Sequence, residues 1–178
     1  ESIDGVGRAR IIPLWNGPNT VKGVLIDPVG KPCGVAKVAE VQEYIDPARK
    51  GLTATVEGKT YNVGDGLGNG VANIGAHFTA VAAEALEITV AFGAELADGA
   101  TKEAVQQAAA EAIEKYLKEL ALNAGEGENA VVRISAVGAI LSQVESLVDY
   151  SDLRLNGDTH NVAAGEEDVP VLRGVEIA

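Results

Sequence analysis

The sequence predicts an α+β fold in two small lobes, ββαβ followed by β-α-α-β-β, with mixed or antiparallel sheets and helices on one face. Two observations carry this. Short runs of period-two alternation are interleaved with segments of helical spacing, in an order that opens and closes on strands. The apolar share of 47% comes mainly from Ala, Val, Leu and Ile, with aromatics at only 4%, which suits helices packed on sheets better than aromatic binding platforms. At 178 residues the chain is long enough to bury a core without covalent staples.

The first lobe, residues 1–84, begins with RARIIPLW up to Trp15, the turn Asn16 to Asn19, and TVKGVLID ending at Asp27. Two β-rich runs around a Gly/Pro/Asn cluster predict a hairpin or adjacent strands, with Pro13 at an edge or bulge. After the turn from Pro28 to Pro32, Val35, Val38, Val41 and Ile45 recur at helical spacing, and Asp46-Pro47 stops the helix. Leu52 to Val63 reads as two short runs around Glu57-Gly58, a small hairpin arm. Gly64 to Gly75 reads as a flexible connector, and Thr60 to Ala72 is expected to be among the most mobile stretches. A strand near Phe78 follows, and the lobe ends at Ala83 to Glu84.

The second lobe, residues 85–178, opens with Leu86, Ile88, Val90 and Phe92 alternating with small or polar residues, a strand with one buried face. Thr101 is a candidate N-cap for a helix to about Leu122, whose apolar face runs from Val105 through Ile113 and Leu117 to Leu120. After the turn at Asn123 to Glu128, a second helix is predicted from about Val132, with Ile134, Val137, Ile140, Leu141 and Val144 inward. Leu147 to Tyr150, Leu153 to Leu155 before the Asn156-Gly157 turn, and Val169 to Ile177 complete the lobe as short strands.

The formal charge is −12, with 26 acidic against 14 basic residues and no basic patch. Unaided binding to nucleic acid or to an anionic membrane is disfavoured, because both need cationic surface. Acidity serves solubility, or docking on a basic partner. Cys33 is the single cysteine, so no intrachain disulfide forms and a cytoplasmic assembly site is the default. No apolar run is long enough to span a bilayer, and the N-terminus lacks the regions of a signal peptide. A start at Glu1 without Met suggests a piece of something longer.

Several constellations invite a chemical reading. Gly64, Gly66, Gly68 and Gly70 evoke a phosphate loop, but a strand follows them where a helix N-terminus is needed, and the Lys-Ser/Thr ending is absent. Cys33 with His77 or His160 evokes a thiol nucleophile and base, yet Cys33 sits in a Pro-rich turn whose only cationic neighbour is Lys31. Glu166, Glu167 and Asp168 lack the interleaved spacing of a calcium loop. Trp15 beside its turn reads as a strand-end anchor before a ligand-stacking residue. No catalytic, cofactor-binding or metal-binding residue is expected.

The stretches Ile3 to Asp27, Val38 to Pro47, Ile74 to Phe92 and Val148 to Ile177 together resemble the C-terminal portion of the phage baseplate J-like protein family. Two departures stand out: Asn73 where the family usually has Pro before the Ile-Gly-Ala turn, and the hairpin at 52–63, which looks like an insertion. The resemblance implies a structural component of a phage or phage-like contractile-tail baseplate, without catalytic residues. Its implied partners are other baseplate and tail subunits and copies of itself. It also implies a place in the virion tail after assembly in the host cytoplasm. Two other classes compete: a receptor- or glycan-binding appendage, for which Trp15, Tyr61 and Tyr150 are the aromatic candidates, and a thiol hydrolase resting on Cys33 and the two His residues.

Overall fold

The computed structural model describes residues 3–125 and 128–178, and its mixed and antiparallel sheets with helices make an α+β fold. The chain divides into two compact units, Glu1–Glu84 and Ala85–Ala178, each with its own hydrophobic cluster.

In the first unit, β1 (Arg8–Pro13) and β2 (Thr20–Ile26) form an antiparallel pair, from Arg8 opposite Ile26 to Pro13 opposite Val21. The turn between them needs left-handed backbone at Leu14 and Asn19 as well as Gly17. The Thr20 hydroxyl fastens it, accepting from the Asn16 N–H and donating to the Gly17 carbonyl. Pro13 lies on the edge strand, where its missing N–H costs no ladder bond. On the other side β5 (His77–Ala82) runs parallel to β2, giving the order β1-β2-β5. A parallel neighbour requires a crossover, and α1 (Val35–Ile45) lies within it.

The outer edge of β5 is closed by side chains of α1 and its cap. The His77 N–H bonds the Asn19 carbonyl toward β2, so alternate residues Phe78 and Ala80 turn their backbone groups outward. Gln42 Nε2 donates to the Phe78 carbonyl at 3.0 Å, and Gln42 Oε1 accepts from the Ala80 N–H at 2.8 Å. Asp46 Oδ2 accepts from the Phe78 N–H at 3.0 Å. One amide and one carboxylate thus stand where a fourth strand would be.

The same carboxylate organises the glycine segment. Asp46, 1% exposed, accepts from the Gly66 N–H through Oδ1. A Cβ on Gly64 would overlap its carboxylate, and one on Gly70 would collide with the Ile45 carbonyl. Val71 and Ala72 donate to the carbonyls of Tyr44 and Ile45, Asp65 to Pro47, and Gly75 to Gly66. The expected loose connector is therefore a packed loop whose glycines allow backbone to lie against the end of α1.

β3 (Ala48–Val56) and β4 (Lys59–Gly64) form a two-stranded hairpin. Glu57 and Gly58 both have positive φ, the requirement of a tight two-residue turn matched to strand twist. The arm begins at Ala48, earlier than the expected Leu52, because Ala48 pairs with Gly64 across an irregularity that precedes Thr53.

The second unit is built on β6 (Glu84–Leu96), the central strand of the order β10-β6-β8. Its alternation buries Ile88, Val90 and Phe92. α2 (Lys102–Asn123) starts where the Thr101 hydroxyl accepts from the Ala104 N–H, and it buries Val105, Ala109, Ile113 and Leu117 in the same core. Val131–Val132 is a short strand, β7, paired with β9 (Val162–Ala163), whereas helix had been expected from about Val132. The second helix, α3, is confined to Ile134–Leu141. Its start is fixed by long-range bonds: the Ile134 N–H to Asn161 Oδ1 and the Arg133 N–H to the Tyr116 hydroxyl. Val144 is buried from the turn after the helix. Leu147–Leu155 is one strand, β8, where two were expected. Opposite Phe92 it carries two residues, Asp152 and Leu153, with Asp152 at positive φ, which is a β-bulge. The chain closes on β10 (Asp168–Ile177).

Replacing Gln42 by Leu leaves the Phe78 carbonyl and the Ala80 N–H buried and unpaired, a cost of about 2–4 kcal/mol. Denaturant melts followed by Trp15, the sole tryptophan and a resident of this unit, should show that loss; a midpoint equal to the parent's would refute the role given to Gln42. Hydrogen exchange should find the amides of Gly66, Val71, Ala72 and Phe78 protected together, with Gly68 exchanging faster.

Candidate functional site

The side chains from which chemistry was conceivable are each committed elsewhere. Cys33 is 4% exposed and packs with Leu25, Val41 and Phe78. Burial, and then the charge of Asp27, push its thiol above the ordinary value, against a smaller opposing effect of Lys37. That is the reverse of an activated thiol. His77 holds the Gly64 carbonyl through Nδ1 at 2.9 Å, and its ring lies against Gly66. His160 is exposed and pairs with Asp158 at 2.7 Å. That bond, then the Thr159 N–H, holds the Asp158 carboxyl below its usual range.

Gly66, Gly68 and Gly75 have positive φ, but the amides of Gly66 and Gly75 already bond Asp46 and the Gly66 carbonyl. They do not form a nest for an anion. In the acidic turn, Asp168 Oδ2 accepts from the Gly165 N–H. Among the described residues no three His, Cys, Asp or Glu side chains gather as metal ligands, and no helix is long and apolar enough to cross a membrane.

The aromatic candidates also serve the fold. Trp15 and Tyr61 meet edge-to-face at 5.0 Å, and the buried Lys22 ammonium lies 4.3 Å and 4.6 Å from their ring centres. This cation–π contact, worth on the order of 1–2 kcal/mol when desolvated, ties the β3–β4 arm to the β1–β2 turn. Sequence spacing gave no sign of it, because the three residues lie in different elements. Tyr150 packs against the core of the second unit, its hydroxyl close to Gly138.

What the first unit does present is apolar surface. Leu14 is 66% and Ile74 84% exposed, and with Pro13, Val21, Ala76 and the polar Asn19 and Thr20 they line an uncharged groove of about 340 Å³. Leu14 also has left-handed backbone, a conformation that costs a branched residue about 1–2 kcal/mol. Charge is divided unevenly: residues 1–84 carry eight basic and nine acidic side chains, and residues 85–178 carry six and seventeen.

Comparisons with known proteins cover almost the whole chain. Residues 1–82 match the Baseplate J-like central domain, and residues 87–178 match the Baseplate J-like protein C-terminal domain. The phage-like element PBSX protein XkdT of Bacillus subtilis (strain 168) is 29% identical over 177 residues, 99% of this chain and 45% of that protein. The uncharacterized protein YqbT of the same organism is 28% identical over the same shares. The chain thus spans somewhat under half the length of the curated relatives it matches.

Because burial keeps Cys33 as a thiol, an alkylating reagent should modify it in the native protein roughly a hundredfold more slowly than in denaturant. Comparable rates in the two states, followed by mass spectrometry, would return Cys33 to the list of reactive groups.

Proposed function

This chain belongs to the baseplate J-like family, a structural component of phage tails, and from that premise we propose that it acts in a contractile-tail baseplate through protein–protein contacts alone. The observation that carries this reading is the commitment of Cys33, His77, Trp15, Tyr61 and Asp46 to core, turn and edge-closing roles, beside an exposed apolar groove at Leu14 and Ile74. Among its described residues, such a molecule offers surfaces to neighbours and no convergent site to a substrate. The reading extends to the absence of enzymatic activity, and to partners that are other tail subunits and further copies of the chain, without nucleic acid or membrane. It extends as well to assembly in the host cytoplasm.

The two units work as separate building pieces in this proposal. The nearly neutral first unit makes apolar contacts at the Leu14–Ile74 groove. The acidic second unit keeps free subunits apart by repulsion until complementary surfaces meet.

The test uses the full-length protein with its neighbouring baseplate subunits. Light scattering at equal concentrations should show association for the parent, and Leu14→Lys with Ile74→Lys should weaken it roughly tenfold or more while leaving the thermal midpoint within a few degrees. A full-length protein that stays monomeric and binds none of those subunits would overturn the assembly reading.

A further inference from the structure

The chain contains three Asn-Gly pairs: Asn16-Gly17, Asn69-Gly70 and Asn156-Gly157. In such pairs the glycine offers no side chain to obstruct attack of its amide nitrogen on the asparagine side chain. The third pair forms the two-residue turn that closes at Leu155 and Asp158, with φ of 50° at Asn156 and 84° at Gly157. Two successive left-handed residues are what selects Asn-Gly here, so the turn itself demands a chemically labile pair.

Around Asn156 the fold adds a restraint that the sequence does not display. Its Oδ1 accepts from the Thr89 N–H at 2.7 Å, its Nδ2 donates to the Glu87 carbonyl at 3.0 Å, and its own N–H donates to the Thr89 carbonyl. The side-chain amide thereby prolongs the ladder along β6. Cyclisation requires this side chain to swing onto the Gly157 nitrogen, which breaks both of its bonds to β6. Neither Asn16 nor Asn69 is tied across a strand in this way: Asn16 is held through its backbone N–H to the Thr20 hydroxyl.

We propose that Asn156-Gly157 is a self-modification site that the fold holds off, so that reaction there follows opening of the second unit and then hinders its return. The Gly157 nitrogen attacks Asn156 Cγ, a new C–N bond forms, the Cγ–Nδ2 bond breaks, and ammonia leaves with the proton from the Gly157 N–H. Water then opens the succinimide at one of its two carbonyls, giving Asp or isoAsp. Asp removes the donor to the Glu87 carbonyl and sets an anionic oxygen against it. IsoAsp lengthens the turn backbone by one carbon and disturbs the closure of Leu155 with Asp158.

The experiment is to age the protein at mildly alkaline pH, native and in denaturant, and to quantify amide-to-acid conversion at each pair by peptide mapping. Native protein should convert at Asn156 roughly tenfold or more slowly than at Asn16, with the two within about threefold of each other in denaturant. Equal native rates would overturn the restraint. Material converted at Asn156 should then refold with poor recovery of Thr89 amide protection, whereas material converted at Asn16 recovers it. Full recovery of the Asn156 product would overturn the hindered return.

Discussion

The first unit depends on how one sheet edge is closed. A parallel β2–β5 pair leaves the outer backbone groups of β5 without a strand partner, and buried groups of that kind cost about 1–3 kcal/mol each when unpaired. Gln42 and Asp46 meet that need from the last turn of α1 and its cap. The helix is thereby fixed against the strand by directional bonds as well as by Val41 in the core. Asp46 extends the same constraint to Gly66, and the tight packing of Gly64 and Gly70 follows from it. A hydrophobic pair in place of Gln42 and Asp46 would keep the burial and lose the register.

The second unit meets the same problem by related means. Beyond the end of β8, the Asn156 amide bonds the β6 backbone at Glu87 and Thr89, so a side chain again substitutes for a strand. On β8 itself the Asp152 bulge and the exposed Asp149 and Arg154 make a poor template for further pairing. Blocked edges of this kind suppress unspecific strand pairing, which suits the assembly role proposed above. Leu14 and Ile74 are exposed only as side chains, and the proposed contacts use them in that way.

The uneven charge gives the two units different contact chemistry. Repulsion among copies of the acidic second unit is long-ranged at low salt and falls within about 8–10 Å at physiological ionic strength. Apolar contact at the first unit acts only at touching distance. In the proposed assembly role, a subunit with both resists premature association while keeping short-range complementarity available.

Local sequence pattern determined much of this protein. The spacing of Val35, Val38, Val41 and Ile45, the long apolar face of α2, the alternation of Ile88, Val90 and Phe92, and the turns at Glu57-Gly58 and Asn156-Gly157 were all legible, because each depends on residues within a few positions of one another. The family resemblance was legible from the order of turn and strand motifs. Only tertiary structure decided the rest. Gln42 and Asp46 act on backbone 36 and 32 residues away, so nothing local distinguishes them from solvated helix residues, and the glycine loop they hold read as mobile. Val131 and Val132 fit the apolar spacing of the helix that follows, and became a strand because Val162 and Ala163 pair with them. Lys22 is enclosed by Trp15 and Tyr61, which lie 7 and 39 residues away in the sequence. In each case a partner distant along the chain supplied the hydrogen bond or ring contact that fixed the outcome, and periodicity carries no information about such partners.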